Sequence, residues 1–221
     1  MDDSRTWPGA IRRLLVIHNP TAGGWLRRRR FTRVISALGE LGCHVTVRRT
    51  EARGDAERFA RDARQDAVDL VAAAGGDGTI NEVINGLIGS GLPLGVIPLG
   101  TANVFAAEIG LSLAPRAVAA TLARGAPAPI HVGRVNGRVF SLMAGAGFDA
   151  LVVEGVDARL KRLCGKCAYV YESLARMARW RARRYVVTVD GRRAEATSVV
   201  IANGRYYAGR YVLAPEARLS A

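Results

Sequence analysis

Aromatic residues and lysine are both scarce in this chain of 221 residues. Aromatic side chains make up 6% of the sequence, so a hydrophobic core has to be built mainly from alanine, valine, leucine and isoleucine. Only two of the 32 basic residues are lysines, so arginine carries nearly all of the positive charge. The three cysteines are an odd number, which is typical of a reducing compartment rather than of a secreted, disulfide-stabilised protein.

The sequence also lacks a segment suited to span a membrane. Residues 83–107 carry no charge and are long enough to cross a bilayer. However, this stretch contains two prolines and five glycines, and such a segment could not satisfy its backbone as a single helix in lipid. Residues 1–4 are acidic and have no signal-peptide core. We expect a cytoplasmic protein, which could also associate peripherally with the inner face of the membrane.

Positive charge is in excess and is concentrated in the second half of the chain. The formal net charge is +13, with 14 basic against 12 acidic residues in 1–110 and 18 against 7 in 111–221. An excess of positive charge favours binding to the phosphates of nucleic acid or of a membrane surface. A coding bias towards arginine would produce the same excess without any function. A nucleic-acid surface would also interleave aromatic and basic residues. The sequence has no such pattern, so we expect no nucleic-acid partner.

Short apolar runs alternate with helical patterns in the first half. Strands are predicted at 14–18, 43–47, 68–73 and 94–97, and helices at 25–41, 54–65, 79–88, 102–109 and 115–123. This alternation predicts an α/β fold with a parallel sheet covered by helices on both faces. After residue 126 the pattern changes to strand pairs at 130–148 and 185–203, with turns at Asn136-Gly137 and Asp190-Gly191, separated by a long helix at about 157–183. We therefore expect two domains, 1–126 and 127–221.

Three polar turns that contain glycine follow predicted strands. They are Asn19-Pro20-Thr21-Ala22-Gly23-Gly24, Gly75-Gly76-Asp77-Gly78-Thr79-Ile80-Asn81-Glu82 and Pro98-Leu99-Gly100-Thr101-Ala102-Asn103. Parallel strands end at one edge of the sheet, where ligands of such sheets bind. Glycine lets backbone N–H groups approach an anion, and a following helix adds the positive end of its dipole. Although glycines after strands also make ordinary turns, three at one edge indicate a phosphate site.

Within these turns, Thr79 and Thr101 supply hydroxyl donors and Asp77 supplies a carboxylate. That carboxylate could orient a hydroxyl, accept its proton or help to place Mg²⁺. The chain contains neither a Gly-x-x-x-x-Gly-Lys-Ser/Thr phosphate loop nor a Gly-x-Gly-x-x-Gly motif after a strand. The predicted phosphate site is therefore of a different design.

On these residues the chain resembles the diacylglycerol kinase catalytic domain family, whose wider superfamily includes bacterial lipid kinases and sphingosine and ceramide kinases. Asn19-Pro20-x-Ala22-Gly23, Gly75-Gly76-Asp77-Gly78-Thr79 with Asn81-Glu82, and Leu99-Gly100-Thr101-x-Asn103 match its three motifs in order. The resemblance spans about residues 12–220. It implies a Rossmann-like N-terminal domain followed by a mostly antiparallel β-sandwich domain, with ATP in the cleft between them. The Gly-Gly-Asp-Gly core alone also occurs in NAD kinases and phosphofructokinases.

The resemblance also implies roles for individual residues. Asp77 matches the acid assigned to catalysis or to placing phosphate and metal, and Asp149 matches the position that holds the lipid head group in sphingosine kinases. Arg162 and Lys166 fall where relatives direct basic residues towards the phosphates. The nucleotide-binding residues implied in this way are Asn19, Gly23, Thr50, Gly75, Gly76, Asp77, Gly78, Thr79, Ile80, Asn81, Glu82, Gly100, Thr101, Asn103 and Lys166.

The sequence departs from the family pattern in two places. Val104 follows Asn103, where many relatives have an aspartate. The sequence stops at Ala221, whereas family members continue with Asp-Gly and a further stretch of roughly 80 residues, in line with usual domain sizes. By this resemblance the second domain is incomplete, and an aspartate for a structural Mg²⁺ and a late glutamate proposed as general base are missing. The metal ligands and the activity of this truncated chain therefore stay open.

The helix predicted at about 157–183 has two interpretations. Its arginines, with Tyr169 and Trp180, suit the surface of an anionic membrane, but a helix that packs on a core and exposes a basic face has the same composition. Cys164 and Cys167 fall on its apolar face, which favours packing over a redox pair or a zinc site.

The function expected from this sequence is that of an ATP-dependent lipid kinase. Its substrates would be ATP with Mg²⁺ and a hydroxyl of a diacylglycerol-like or sphingoid lipid at a membrane surface. The alternatives are an NAD-kinase-like enzyme and a non-catalytic fragment that binds nucleotide and membrane. The oligomeric state and the identity of the lipid do not follow from the sequence.

Overall fold

The computed structural model describes residues 11, 13–147, 150 and 183–220. The chain divides into two compact units: the first comprises Met1–Leu142 with Asn203–Ala221, and the second comprises Met143–Ala202. The C-terminal segment thus returns to the first unit, and the two-domain division at residue 126 stays a prediction. None of the helices within the described ranges is both long enough and apolar enough to cross a membrane.

A four-stranded parallel sheet forms the centre of the first unit. Its strands are β1 (Arg13–His18), β2 (His44–Arg49), β3 (Leu70–Gly75) and β4 (Leu94–Pro98). They lie in the order β2-β1-β3-β4, with all neighbouring pairs parallel. The helices are α1 (Trp25–Glu40), α2 (Asp55–Asp62), α3 (Asp77–Leu87), α4 (Val104–Glu108) and α5 (Pro115–Arg124). The predicted α/β class with a parallel, Rossmann-like sheet is confirmed.

Helices cover both faces of this sheet. Because side chains alternate between the two faces of a strand, each strand contributes residues to both layers of the core. In β1, Leu14 and Val16 pack in one core cluster with residues of α1 and α5. Leu15 and Ile17 pack in the other cluster with residues of α2 and α3. All six residues of β3 are buried, as expected for a central strand covered on both sides.

Short antiparallel ladders complete the described part of the chain. In the first unit, β5 (Gly133–Val135) pairs with β6 (Arg138–Phe140), and β11 (Tyr206–Tyr207) pairs with β12 (Tyr211–Val212). In the second unit, β7 (Met143–Ala146) pairs with β10 (Val199–Ala202), and β8 (Tyr185–Val189) pairs with β9 (Arg192–Ala196). These ladders confirm the predicted antiparallel β region. Of the helix predicted at 157–183, only residue 183 lies within the described residues, and it is not helical.

The two predicted hairpin turns occur at the expected residues. Asn136 and Gly137 join β5 to β6 with φ of 48° and 78°, and Asp190 and Gly191 join β8 to β9 with φ of 50° and 76°. Two consecutive residues with positive φ define the type I′ turn, whose twist matches that of the flanking strands. The Asn-Gly and Asp-Gly signals therefore predicted these connections correctly.

Helices α2 and α3 approach closely because small residues face each other. A Cβ atom on Gly86 would lie 2.3 Å from the carbonyl oxygen of Glu57 and 2.7 Å from the Cβ of Ala60. No side chain larger than hydrogen fits there without movement of a backbone. The packing of α2 against α3 on this face of the sheet therefore depends on Gly86.

Two glycine-to-alanine substitutions should shift stability in opposite directions. We expect Gly86→Ala to lower the free energy of unfolding by about 1–3 kcal/mol, because overpacking outweighs the better helix propensity of alanine. Gly39 lies inside α1 with open space around it, so Gly39→Ala should raise stability by up to about 1 kcal/mol. Urea unfolding followed by circular dichroism measures both. A Gly86→Ala protein as stable as Gly39→Ala would contradict this packing.

Candidate functional site

The three glycine turns lie at the carboxyl edge of the parallel sheet. Ladder hydrogen bonds continue into them: the N–H of Asn19 donates to the carbonyl of Ala74 at 2.9 Å, and the N–H of Leu99 donates to the carbonyl of Gly75 at 2.8 Å. The turns after β1, β3 and β4 are therefore fixed side by side, as the strand order requires.

Side-chain hydrogen bonds join the first turn to the second. The Nδ2 group of Asn19 donates to the hydroxyl of Thr79 at 3.1 Å. The Oδ1 atom of Asn19 accepts hydrogen bonds from the N–H and the hydroxyl of Thr21, at 3.0 and 2.8 Å. Asn19 thus orders its own turn and holds it against the start of α3.

Glycine backbones bring the second and third turns into direct contact. A Cβ atom on Gly100 would lie 2.6 Å from the Cα of Gly76, and one on Gly76 would lie 3.2 Å from the Cα of Gly100. A Cβ on Gly75 would lie 2.6 Å from the side chain of Thr79. These glycines are required because two backbones and the first turn of α3 share a space that side chains would fill.

The start of α3 has the geometry of an anion site. No side chain caps it at Gly76, so the N–H groups of its first residues, including Asp77, Gly78 and Thr79, have no acceptor within the helix. A Cβ on Gly78 would meet nothing within 4 Å, so the surface at this residue is open. Backbone N–H groups and the positive end of a helix dipole together favour a phosphate.

The carboxylate of Asp77 connects the second turn to α4. Its Oδ1 atom accepts a hydrogen bond from the N–H of Phe105 at 2.9 Å, and its Oδ2 atom accepts one from the N–H of Val104 at 3.2 Å. Asn103, immediately before α4, has a left-handed backbone with φ of 48°. Its Oδ1 atom is buried and has no hydrogen-bond partner within the described part of the chain. Asp77 therefore caps α4 and fixes the end of the third turn.

Arg27 lies where the first and third turns meet. Its Nη1 atom donates to the carbonyl of Leu99 at 3.3 Å and to the hydroxyl of Thr101 at 3.5 Å. A Cβ on Gly23, where φ is 84°, would lie 2.1 Å from the Cδ of Arg27. Burial, and then the neighbouring charge of Arg30, lower the pKa of Arg27. Arg27 forms none of the ion pairs seen among the described residues, so its positive charge is available to an anion.

Sequence reasoning missed these two arginines. Arg30 also contacts the third turn, since its Nη1 atom donates to the carbonyl of Pro98 at 3.3 Å. The available signal was the arginine run at residues 27–30, which begins three residues after the end of the first glycine turn. Residues 27 and 30 are three apart and therefore lie on the same side of a helix.

Asn81 contacts a strand of the first unit. Its Nδ2 group donates to the carbonyl of Val139 at 3.2 Å, and its Oδ1 atom accepts from the N–H of Ser141 at 3.0 Å. Asn85, one turn later, donates to the same carbonyl at 2.8 Å and accepts from the N–H of Val139 at 3.0 Å. Both asparagines hold β6 against α3.

Three other predicted nucleotide-contacting residues also have structural contacts. Ile80 is fully buried in the core cluster beneath α3, so its side chain packs against the sheet. The Oε2 atom of Glu82 accepts a hydrogen bond from the N–H of Gly54 at 3.0 Å. Thr50 is buried, and its N–H donates to the carbonyl of His18 at 2.9 Å, which places it beside the first turn.

Lys166 and Asp149 lie outside the described residues, as do Arg162 and both cysteines of the predicted helix at 157–183. In the described part of the chain, no group of three or more His, Cys, Asp or Glu side chains is arranged to hold a metal ion.

Comparisons with known proteins agree with the motifs. Residues 13–135 match the model of the diacylglycerol kinase catalytic domain. Residues 143–221 match the YegS C-terminal NAD kinase beta sandwich-like domain.

Individual relatives and solved structures give the same result. The chain is 35% identical over 185 residues to "Diacylglycerol kinase" of Bacillus subtilis, covering 82% of this chain and 61% of that protein. It is 37% identical over 210 residues to "Probable lipid kinase YegS-like" of Pseudomonas aeruginosa, covering 93% of this chain and 68% of that protein. A crystal structure of a diacylglycerol kinase from Bacillus anthracis superimposes with a TM-score of 0.73 at 28% identity, covering 96% of this chain and 71% of that one.

The chain therefore spans about two thirds of the length of the relatives that it matches. The resemblance found in the three glycine motifs is confirmed, and the chain belongs to the diacylglycerol kinase catalytic domain family.

Proposed function

We propose that the protein transfers the terminal phosphoryl group of ATP to a hydroxyl of a lipid, of the diacylglycerol-like or sphingoid class. The observation that carries this proposal is the meeting of three glycine turns at the carboxyl edge of the sheet, with uncapped N–H groups at the start of α3. Family membership supports the reaction type.

In this proposal the turns bind the triphosphate of ATP. N–H groups of Asp77, Gly78 and Thr79 donate to phosphate oxygens, and the hydroxyls of Thr79 and Thr101 lie in the same turns. Arg27 adds a positive charge between the first and third turns. In phosphoryl transfer, catalysis comes mainly from positioning and from stabilisation of charge on the transferring group. The described residues provide both.

Asp77 has a structural role and a chemical role in this proposal, besides the contact with Mg²⁺ described below. Its hydrogen bonds to Val104 and Phe105 fix the third turn. A carboxylate oxygen can accept more than one hydrogen bond, so Asp77 can also orient the acceptor hydroxyl and take up its proton, while the hydroxyl oxygen bonds to the γ-phosphorus and the bond from that phosphorus to ADP breaks.

The described residues fit Mg²⁺ that is brought by the nucleotide. Mg²⁺ usually keeps several waters and is bound through one or two carboxylates plus substrate phosphates. Asp77 is one such carboxylate within the three turns, and the described residues form no larger metal-binding cluster. When bound, Mg²⁺ would neutralise charge on the phosphates, and Asp77 would hold it.

The acceptor is proposed from the family and not from described contacts. Asp149 and Lys166 keep their proposed roles at the lipid head group and the phosphates, respectively. The match of residues 143–221 to a domain described as NAD kinase-like makes NAD⁺ a second candidate acceptor.

Labelled ATP distinguishes these acceptors. The chain is incubated with γ-labelled ATP, Mg²⁺ and, in separate reactions, diacylglycerol, sphingosine or NAD⁺, and the products are separated by thin-layer chromatography. We expect label in a phosphorylated lipid and none in NAD⁺. Label in NADP⁺ alone, or ATP binding in a calorimeter without transfer to either lipid, would contradict the proposal.

Asp77 should be essential beyond its structural hydrogen bonds. We expect Asp77→Ala to lower the free energy of unfolding by about 1–2 kcal/mol, through loss of the cap on α4, and to reduce kcat at least about a hundredfold. Asp77→Asn keeps one carbonyl acceptor, so it should recover part of the stability but not the activity.

The control for Asp77 is Asp69→Asn. Asp69 accepts a hydrogen bond from the N–H of Arg13 at 2.8 Å, at the opposite edge of the sheet, so this variant should keep wild-type kcat. An Asp77→Asn protein with full activity would restrict Asp77 to a structural role.

Removing the charge of Arg27 should weaken ATP binding. We expect Arg27→Met to raise KM for ATP about tenfold or more, because a charge-assisted hydrogen bond to phosphate is lost. The KM for the lipid should change little. Arg124→Met removes an exposed charge from the last turn of α5 and serves as control. Equal KM values for the two variants would exclude Arg27 from the phosphate site.

A further inference from the structure

An open groove, which we call the edge groove, lies between helix α1 and strand β2. Its volume is about 510 Å³, within the range of about 300–1,000 Å³ that is usual for small-molecule sites. The residues that line it are Phe31, Thr32, Ile35, Ser36, Val47 and Arg49. Because β2 is an edge strand, the groove lies at one side of the parallel sheet.

The edge groove exists because α1 does not cover β2 completely. The three buried residues of α1 pack in the same core cluster as residues of β1 and α5. Phe31 and Ile35 are only partly buried against that cluster. Across the groove from them, Val47 is 37% exposed. The walls are therefore largely apolar surface that the described residues leave in contact with water.

Positive charge gathers at one end of the groove. His18 and Arg49 are neighbours in the ladder of β1 and β2, and the rings of His18 and Phe31 are stacked with their centres 3.9 Å apart. Burial, and then the charges of Arg49 and Arg28, lower the pKa of His18. Since both guanidinium groups act on one imidazole, Arg28 and Arg49 lie near the same point, beside the stacked ring of Phe31.

No ion pair within the described ranges neutralises this charge. Neither Arg28 nor Arg49 takes part in the ion pairs formed there. His18 is 8% exposed, and its Nδ1 atom is buried without a hydrogen-bond partner among the described residues. Buried polar atoms are nearly always paired. An anionic acceptor would pair with the guanidinium groups, and it would also accept from Nδ1 when that atom carries the proton.

The lining of the edge groove favours a hydrocarbon chain over a more polar ligand. A nucleobase or a peptide would bury donors and acceptors that need partners. The hydroxyl of Thr32 already donates to the carbonyl of Arg28 at 3.2 Å, so this donor is in use. A hydrocarbon chain needs no hydrogen bonds, and its contact with Phe31, Ile35 and Val47 removes apolar surface from water.

A second copy of the chain suits the groove less well. An edge strand can pair with the same strand of another copy. However, β2 carries His44, Arg48 and Arg49, and like charges opposite each other destabilise a pair of strands. The charge at this edge therefore favours a negatively charged occupant over a second basic strand.

The edge groove is separate from the proposed phosphate site. The strand order is β2-β1-β3-β4, and the second and third glycine turns follow β3 and β4. Neighbouring strands are about 4.8 Å apart, so β2 lies about 10–14 Å from those two strands. Arg27 and Arg30 contact the third turn, whereas Arg28 acts on His18 at the other side of the first turn.

We propose that the edge groove binds a single free fatty acid. Its hydrocarbon chain contacts Phe31, Ile35 and Val47, and its carboxylate pairs with Arg28 and Arg49. This site goes beyond the proposed function and does not depend on it, because none of the residues assigned to ATP or to the lipid acceptor lines the groove.

Calorimetry with decanoate tests the edge groove in the full chain. Decanoate is used below the concentration at which it forms micelles, so each ligand is one dissolved molecule. We expect decanoate to bind, and we expect 1-decanol and decyltrimethylammonium to bind at least about tenfold more weakly, because neither forms a charge-assisted hydrogen bond with arginine. Binding of decanoate only after micelles form would contradict a site for a single chain.

The double variant Val47→Thr/Arg49→Met removes one apolar contact and one charge. It should bind decanoate about thirtyfold more weakly, with about tenfold from the charge and about threefold from the lost methyl contact. The control Val186→Thr/Arg124→Met makes the same changes at exposed residues of β8 and α5 and should bind as the wild type does. Urea unfolding verifies that both variants are folded. Equal affinities in the two variants would refute the proposal.

A decanoate with a diazirine at the end of its chain locates the site. On irradiation it loses N₂ and inserts into neighbouring bonds, and mass spectrometry maps the products. We expect labels on residues 31–36 or on Val47, and much less labelling in Val47→Thr/Arg49→Met. Labels confined to residues 143–221 would assign the ligand to the second matched domain instead and would overturn the proposal.

Competition with ATP separates the edge groove from the phosphate site. The affinity for decanoate should be nearly the same with and without saturating ATP, and Arg27→Met should not change it. Displacement of decanoate by ATP would assign Arg28 and Arg49 to the phosphate site and overturn the proposal. A chain that binds decanoate in the edge groove but phosphorylates no lipid would refute the proposed function alone.

Size-exclusion chromatography tests the second copy as occupant. We expect Val47→Thr/Arg49→Met to elute as the wild type does. A dimer that this variant dissociates, in a chain that does not bind decanoate, would assign the edge groove to contact between two copies and would overturn the fatty-acid site.

Discussion

Close contact between two backbones is the constraint on which the rest of the site depends. Gly76 and Gly100 pack Cα against backbone, so the turns after β3 and β4 occupy the same small volume. This contact places the uncapped start of α3 beside Thr101 and Arg27. A side chain at either glycine would separate the turns, and the N–H groups and hydroxyls would no longer converge on one anion. The phosphate site proposed for this edge therefore requires residues without side chains at positions 76 and 100.

Polar side chains then hold the converged turns in place. Asn19 connects the first turn to Thr79, and Asp77 connects the second turn to the start of α4. Asn81 holds β6 against α3 through hydrogen bonds to the backbone of Val139 and Ser141. Most of these bonds satisfy backbone groups at the ends of elements, where the regular ladders stop. The side chains of the glycine motifs therefore mainly hold the turns in place, and in the proposed site the backbone would supply most donors to the phosphates.

The sequence predicted the fold well because its signals were local. Alternating apolar runs located the sheet strands, and Asn136-Gly137 located a hairpin. The predicted helix at 54–65 extends beyond the observed α2, Asp55–Asp62, because charged residues such as Arg64 do not mark a helix end. The site was predicted as a set of turns, but the contact of Arg27 with Leu99 joins residues 72 apart, and periodicity carries no information on such pairs. The glycine motif likewise gave no indication that the side chain of Ile80 is buried in the core.

The return of residues 203–221 to the first unit has a consequence for how the chain folds. Asn203 donates to the carbonyls of Ser141 and His131, and Leu219 is buried in the first unit. Completing that unit thus requires closure of the 143–202 segment. The entropic cost of closing a loop rises only with the logarithm of its length, so the equilibrium penalty is modest. Contacts so distant along the chain form slowly, however, and during synthesis the segment that begins at Asn203 must leave the ribosome before the first unit can finish its assembly.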